Sequence, residues 1–269
     1  MLLTNDDGIE ADGLQVLRRA LLAVPGIDLR VVAPDGNRSA MARSITTRRP
    51  LWVEEIELGD GTVGYATDGT PVDCVRLANL GLIDGWQPEM VVSGINHGAN
   101  LGDDITYSGT VAAALEAIIL GLPGIAVSQQ SGALELDFRK TTGFDFTGAA
   151  AFTARLVEGL QGLPLPEGTL LNVNFPGCVP EGVSVARLGK RYYRDELELI
   201  EQAEHRRRYR VYGEAVDPHD EDDTDVAALA AGRVAITPLH FDLTYHAGVQ
   251  ALVEHDLERL LAEEGREQP

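Results

Sequence analysis

The chain has 269 residues, 44% of them apolar, and a formal net charge of −20. That length can bury one large α/β core carrying a smaller appendage, while the charge excludes a nucleic acid polymer as partner, because non-specific affinity for phosphate backbones needs clustered cations. No apolar run is long enough to cross a bilayer and no signal-like segment opens the chain, so no membrane partner and a cytoplasmic location are expected.

Leu2-Leu3-Thr4 reads as a buried strand ending in Asn5-Asp6-Asp7-Gly8. Adjacent carboxylates at a strand end repel one another, and a hard divalent cation removes that conflict. The same residues taken alone also suit a polar strand-to-helix turn, with Gly8 supplying the backbone shape. From Gly13 to Val24, Leu14, Leu17, Leu21 and Val24 recur at helical steps, with Arg18 and Arg19 on the polar face. A second strand spans Asp28 to Pro34. The segment Gly36 to Arg49 then carries four arginines and no acid. In an acidic protein it reads as an anion-attracting rim, beside the plainer reading of a solvated loop.

Leu51 to Leu58 and Val63 to Ala66 flank Gly59-Asp60-Gly61, an inserted antiparallel hairpin. Thr70-Pro71 supplies a cap and a first helical position for a helix through Ala78. Strand Met90 to Ser93 feeds a long loop, Gly94 to Asp104, and Ser108-Gly109-Thr110 precedes an apolar helix from Val111 to Leu120. Strand Gly124 to Ser128, helix Phe146 to Leu160 and strand Leu170 to Phe175 complete an α/β alternation, which predicts a mostly parallel sheet with helices on both faces. Cys74 and Cys178 lack metal-ligand spacing and read as small buried residues.

Beyond Val183 the apolar runs give way to charged alternation, which divides the chain into a core at 1–182 and a C-terminal segment at 183–269. Arg187 to Tyr212 reads as an extended hairpin arm, marginal alone and suited to an oligomer contact. Part of this segment is expected to complete the core or to cross to a neighbouring subunit. Asp217 to Asp225 lacks the glycine and terminal glutamate of an EF-hand and reads as a solvated loop before helix Val226 to Ala231. A strand at Val234 to Ile236, ending in Thr237-Pro238, and an amphipathic helix from Val249 to Leu261 follow.

Ligands of open α/β sheets bind beyond the carboxyl ends of the strands. Asp6 and Asp7 follow the first strand, Ser39 lies past the second, and Asn96 follows the strand ending at Ser93. Two carboxylates, a hydroxyl and an amide oxygen make a hard-metal shell; a hydrogen-bonded loop serine and a turn asparagine are the plainer alternatives. Ser108-Gly109-Thr110 adds an anion site at a helix N-terminus, so a phosphate can sit between cation and helix and be hydrolysed without a covalent nucleophile. His97 is either a proton donor to the leaving oxygen or a residue supporting the metal ligands. No Walker phosphate loop, dinucleotide fingerprint or nucleophile elbow is present.

Across nearly its full length the chain resembles SurE, the survival protein E family of metal-dependent 5′/3′-nucleotidases. The resemblance is carried by Leu2-Leu3-Thr4-Asn5-Asp6-Asp7-Gly8, by Ala33-Pro34 with Ser39, by Gly69-Thr70-Pro71-Val72-Asp73-Cys74-Val75, by Ser93-Gly94-Ile95-Asn96-His97-Gly98-Ala99-Asn100, by Tyr107-Ser108-Gly109-Thr110-Val111, and by Asn172-Val173-Asn174-Phe175-Pro176. It implies a Rossmann-like core and one divalent cation per subunit, Mg²⁺ or Mn²⁺, on Asp6, Asp7, Ser39 and Asn96, with Asp6 and Asp7 catalytic. It also implies phosphate contacts from Asn100, Ser108, Gly109 and Thr110, homodimers or homotetramers built through the C-terminal arm, and a role in stationary-phase survival. Two departures stand out. Ala40 follows the metal-binding serine where the family has glycine, and the first strand is short, as a start upstream of Met1 would leave it.

The expected function is therefore hydrolysis of nucleoside monophosphates, at the 5′ and also the 3′ position, by a metal-activated water. A broader phosphatase or exopolyphosphatase, or a nucleotide-binding stress protein without turnover, is the alternative.

Overall fold

A computed structural model describes residues 1–133, 143–160, 165–190, 192–194, 197–211, 214–216, 221–255, 257 and 260. In chain order the first half comprises β1 (Leu2–Thr4), α1 (Asp12–Leu22), β2 (Arg30–Pro34), β3 (Val53–Glu57), β4 (Val63–Thr67), α2 (Pro71–Asn79), β5 (Val91–His97), a 3-10 helix (Gly102–Thr106), α3 (Gly109–Ile119) and β6 (Gly124–Gln129). There follow α4 (Thr147–Gly159), β7 (Thr169–Phe175), β8 (Val183–Val185), β9 (Tyr192–Arg194), β10 (Glu198–Ala203), β11 (Arg206–Arg210), β12 (Glu214–Val216), α5 (Asp225–Ala230), β13 (Val234–His240) and α6 (His246–Val253).

A nine-stranded sheet runs β3-β4-β2-β1-β5-β6-β7-β13-β8. Within the run β4-β2-β1-β5-β6-β7 adjacent strands are parallel to one another, as the alternation predicts. Successive side chains point to opposite faces, so Leu3, Val31, Val92, Ile125 and Val173 pack under α1 and α4. Leu2, Val32 and Val91 pack instead against Cys74, Val75, Ala113 and Ala117 of α2 and α3. Helix α3 lies so close to the sheet that a Cβ on Gly124 would stand 2.6 Å from the Ala114 carbonyl oxygen. Its run of alanines permits that approach.

The β3–β4 hairpin is an edge of the main sheet, because β4 pairs in parallel with β2. Arg18 secures it: with its side chain only 4% exposed, it ion-pairs with Asp60 at 2.6 Å and donates to Thr62 Oγ1 and the Leu58 carbonyl. The helix-cap expectation at Thr70 is met by a reciprocal box, in which Thr70 Oγ1 accepts from the Asp73 amide and Asp73 accepts from the Thr70 amide. At the other edge, β13 pairs antiparallel with β7 and parallel with β8. Residues beyond 182 therefore contribute strands to the same sheet.

Several expectations are corrected. Strand β5 continues past Ser93 to His97, because Gly94 (φ +139°) lies flush against its neighbour, where a Cβ would meet the Val127 carbonyl oxygen at 2.3 Å. Cys74 is buried, which pushes its thiol pKa far above the ordinary range, but Cys178 is exposed; it follows Phe175-Pro176-Gly177 outside the sheet. Asp225 is not solvated. It is fully buried, and its carboxylate accepts from the amides of Gly102, Gly189 and Val226 at 2.8, 2.8 and 2.9 Å. Thr224 caps α5 by accepting from the Ala227 amide. The final helix begins earlier than expected, at His246, and buries none of its side chains; Leu261, like Tyr212 and 217–220, lies outside the described residues. The ribbon β10–β11 is exposed along its whole length. No helix among the described residues is long and apolar enough to cross a membrane.

Candidate metal and phosphate site

The turn after β1 is closed by Asn5, whose side chain donates to the Gly8 carbonyl (2.9 Å) and accepts from the Gly8 amide (3.2 Å). Gly8 has φ +110°, and a Cβ there would sit 3.1 Å from Gly36, so the loops after β1 and β2 meet backbone to backbone. The Arg38 amide donates to the Asp6 carbonyl at 2.6 Å, which fixes the second loop on the first.

Asp6 is 3% exposed. Thr110 Oγ1, at the start of α3, donates to its Oδ1 at 2.5 Å, and Gly109 offers it a cradle: a Cβ on Gly109 would stand 2.7 Å from Asp6 Cβ and 2.9 Å from Oδ2. Burial, and then the neighbouring charge of Asp7, push the Asp6 carboxyl up to about 6 against the Thr110 hydrogen bonds. Asp7 accepts from Asn37 Nδ2 (3.2 Å) and from the His97 amide (3.1 Å). It thereby joins the loop after β2 to the end of β5. Asn37 also accepts from the amide of exposed Ser39 at 2.8 Å, which ties the Ser39 backbone to the residue that contacts Asp7. Asn96, 8% exposed, donates its Nδ2 to the Gly98 carbonyl at 2.7 Å. Its Oδ1 is left without a donor among the described residues.

The donor set tests the fit to a metal. Among the described residues neither Asp6 nor Asp7 is ion-paired to an arginine or lysine; the ionisable nitrogen that comes within 4 Å is Nδ1 of His97, 3.6 Å from Asp7. No group of three or more His, Cys, Asp or Glu side chains clusters for a metal among the described residues. What the crevice offers is two repelling carboxylates with neutral oxygens, the composition that suits a hard dication and not a soft one. Burial pulls the His97 pKa down, but the Asp7 hydrogen bond and the charges of Asp7, Asp12 and Asp6 outweigh it and leave the value raised. The ring packs on Phe144 and Phe146, with centroids 5.3 and 4.9 Å away.

At the head of α3, Ser108 is the cap, its Oγ accepting from the Val111 amide at 3.1 Å, so its hydroxyl proton is still available to donate. The Thr110 hydroxyl is engaged by Asp6. Asn100 is clamped: Asn172 and Asn174 both donate to its carbonyl, Asn174 accepts from its amide, and its Nδ2 donates to Ser128 Oγ. The sequence marks Asn172-Val173-Asn174 only as a segment of the resemblance and gives the two amides no role, although a signal for one is there. Two amides alternate on one face of an otherwise apolar strand, and such groups are buried only with partners.

The expected basic rim is replaced by ion pairs. Arg38 pairs with Asp35, three residues earlier in the same loop, whereas Arg43 pairs with Glu116 and Arg49 with Asp68, acids that only folding brings near. Ala40 adopts φ 58°, the left-handed region that favours glycine. Ala40→Gly is expected to stabilise the protein by about 0.5–1 kcal/mol, because relief of the backbone strain exceeds the added freedom of the unfolded chain. Urea unfolding checks this, and a destabilised variant would show that the loop tolerates Ala40 without strain.

The model of the family described as survival protein SurE matches residues 1–195. A curated relative from Rubrobacter xylanophilus, named 5′-nucleotidase SurE, is 52% identical over 97% of this chain and 98% of its own length. One from Herpetosiphon aurantiacus, of the same name, is 46% identical over 94% and 96%. The crystal structure of the SurE protein from Aquifex aeolicus superposes with a TM-score of 0.78 at 35% identity, covering 97% of this chain and 99% of the other.

Proposed function

The chain belongs to the SurE family, and from that premise we propose a 5′-nucleotidase that hydrolyses nucleoside monophosphates to nucleoside and inorganic phosphate. Asp6, Asp7, Ser39 and Asn96 hold one Mg²⁺ or Mn²⁺ per subunit, and Asn100, Ser108, Gly109 and Thr110 receive the phosphate. One observation carries this reading: a buried carboxylate and its charged neighbour, without an arginine or lysine partner among the described residues, abut the N-terminus of α3. When bound, a dication polarises a phosphoryl oxygen and acidifies water.

The remaining work falls to the chain itself. Thr110 holds the Asp6 carboxylate in one orientation, and Asn37 with the His97 amide holds that of Asp7. The first-turn amide of Gly109 and the hydroxyl of Ser108 are fixed dipoles that favour the negative charge growing on the phosphoryl oxygens. The Asn172 and Asn174 clamp keeps Asn100 from relaxing away from the phosphate. His97, packed on two phenylalanine rings, orients Asp7.

The assembly belongs to the same proposal. The ribbon β10–β11 exposes Leu199, Ile200 and Tyr209, and α6 exposes Val249, Leu252 and Val253; a ribbon of this kind is marginal alone in water, which supports a homodimer or homotetramer. The free thiols of Cys74 and Cys178 suit a reducing cytoplasm.

Phosphate release from AMP, GMP, an aryl phosphate and polyphosphate, with Mg²⁺, Mn²⁺ or a chelator, tests the reading. Release from the nucleotides that stops with chelator and resumes on adding metal is the expected result. Nucleotide binding without metal-stimulated release overturns the enzyme assignment, and faster release from polyphosphate overturns the substrate assignment.

A further inference from the structure

The loop that bears Ser39 connects β2 to β3, and from 35 through 50 it buries no side chain. Hydrophobic burial therefore cannot hold it, and its position rests on a few polar ties. At one end the Arg38 amide and Asn37 bind Asp6 and Asp7; at the other, the Thr46 amide and hydroxyl donate to Asp73 of α2 at 3.0 and 2.7 Å, and Thr70 Oγ1 donates to the Ser44 carbonyl. Between them the Ala42 amide donates to the Tyr107 carbonyl, and both Ala40 and Ala42 stand at positive φ. The side chain in this middle stretch with the longest reach is Arg43.

Arg43 Nη2 lies 2.7 Å from Oε2 of Glu116, a carboxylate with no exposure on α3, the helix whose head cradles Asp6. The other carboxylate oxygen is 2.7 Å from Arg76 of α2. A buried carboxylate needs a cation beside it; Arg76 supplies positive charge there without hydrogen-bond geometry, so among the described residues Arg43 makes the one hydrogen bond that Glu116 accepts. The Arg43 guanidinium carbon also lies 4.6 Å over the ring of Phe241, in the turn between β13 and α6, a cation–π contact. Phe241 belongs to the segment leading into α6, which buries nothing in its own chain. One side chain thus joins the metal-bearing loop, the phosphate-cradling helix and the C-terminal segment.

We propose that Arg43 is a positioning residue that clamps the Ser39 loop between Glu116 and the ring of Phe241, so that seating of the C-terminal segment sets divalent-cation affinity. This rests on the reading of Ser39 as a metal ligand given above. Arg76 leaves a positive charge beside Glu116 when Arg43 is removed, so variants at position 43 are expected to fold with the loss of one hydrogen bond. Glu116 itself is the wrong place to probe, since its loss leaves two guanidiniums unpaired.

The test compares wild type, Arg43→Met, Arg43→Lys and Phe241→Leu in the full-length protein. Mn²⁺ affinity is measured by titration calorimetry, amide exchange is followed in the loop, and thermal unfolding is recorded in chelator. Residues that orient metal ligands lower metal affinity by about 10–100-fold when removed; Arg43→Met is expected at about tenfold and Phe241→Leu at a few-fold. Arg43→Lys, which retains the charge without the planar fork, is expected to recover part of the loss. The Ala42 and Thr46 amides exchange faster in Arg43→Met while the sheet amides exchange at wild-type rates and the unfolding temperature falls by only about 2–4 °C, as the loss of one hydrogen bond predicts. Wild-type Mn²⁺ affinity in Arg43→Met, or a loss of affinity accompanied by faster exchange throughout the sheet, overturns the clamp. So does Phe241→Leu with unchanged affinity. A wild-type protein that binds no Mn²⁺ and releases no phosphate from AMP overturns the function proposed above, and loop exchange then decides by itself whether Arg43 holds the loop.

Discussion

Asp7→Asn is expected to lower metal-dependent kcat/KM on AMP by at least about 100-fold, or about 3 kcal/mol of transition-state stabilisation, while leaving the metal-free protein as stable as wild type. The two effects separate because they have different origins. An amide is a far weaker ligand for a hard dication than a carboxylate, so metal affinity and turnover fall together. In the metal-free fold, by contrast, Asp7 is a liability to buried Asp6, and its charge helps to push the Asp6 carboxyl up. Removing that repulsion offsets the loss of one of the two hydrogen bonds that Asp7 accepts, from Asn37 or the His97 amide, each worth about 1 kcal/mol. Thermal unfolding in chelator and phosphate release across a Mn²⁺ titration measure the two quantities. Turnover within tenfold of wild type would remove Asp7 from the site.

Gly109→Ala is expected to reduce activity by about 100-fold and stability by about 1–2 kcal/mol, although alanine is the better helix former. Helix propensity alone would favour the substitution by about 1 kcal/mol. The added methyl, however, would stand 2.7 Å from Asp6 Cβ, 2.9 Å from Asp6 Oδ2 and 3.1 Å from Pro71 Cγ. None of these neighbours can swing aside: Asp6 is short and tied to Thr110, and Pro71 is fixed in the first turn of α2. Overpacking of this kind costs about 1–3 kcal/mol, which exceeds the gain in propensity. The misplacement also falls on Asp6, where a shift of about 1 Å suffices for a 100-fold loss. Urea unfolding and steady-state kinetics report the two effects, and wild-type turnover in Gly109→Ala would show that Asp6 is not held against α3.

Local chemistry made much of the fold legible. The βα alternation predicted the parallel sheet, and Thr70-Pro71 predicted the start of α2 to the residue, because a cap hydroxyl and a proline act within one turn. Where the chain pairs with something remote, local pattern failed. Gly94-Ile95-Asn96-His97 has loop composition and ends strand β5 at Ser93 by local pattern, yet β6 pairs with it through His97. Asp225 ends an acidic run that looks solvated, and only α5 packing against the Gly102 and Gly189 amides buries it.

By itself the sequence determined the kinds of groups available: the adjacent carboxylates at the end of β1, a hydroxyl and amide past later strands, and a capped helix start beyond them. Those are properties of residue type and spacing, which need no neighbour to exist. Only the tertiary structure decided which groups meet. It turned Thr110 onto Asp6, used Asn37 to link Ser39 with Asp7, and drew Arg43 and Arg49 out of a supposed basic rim into pairs with Glu116 and Asp68. The physical reason is that a charge or hydrogen bond acts over a few ångströms of space, and the chain brings residues as far apart as Asp6 and Thr110 within that range only once the sheet has closed.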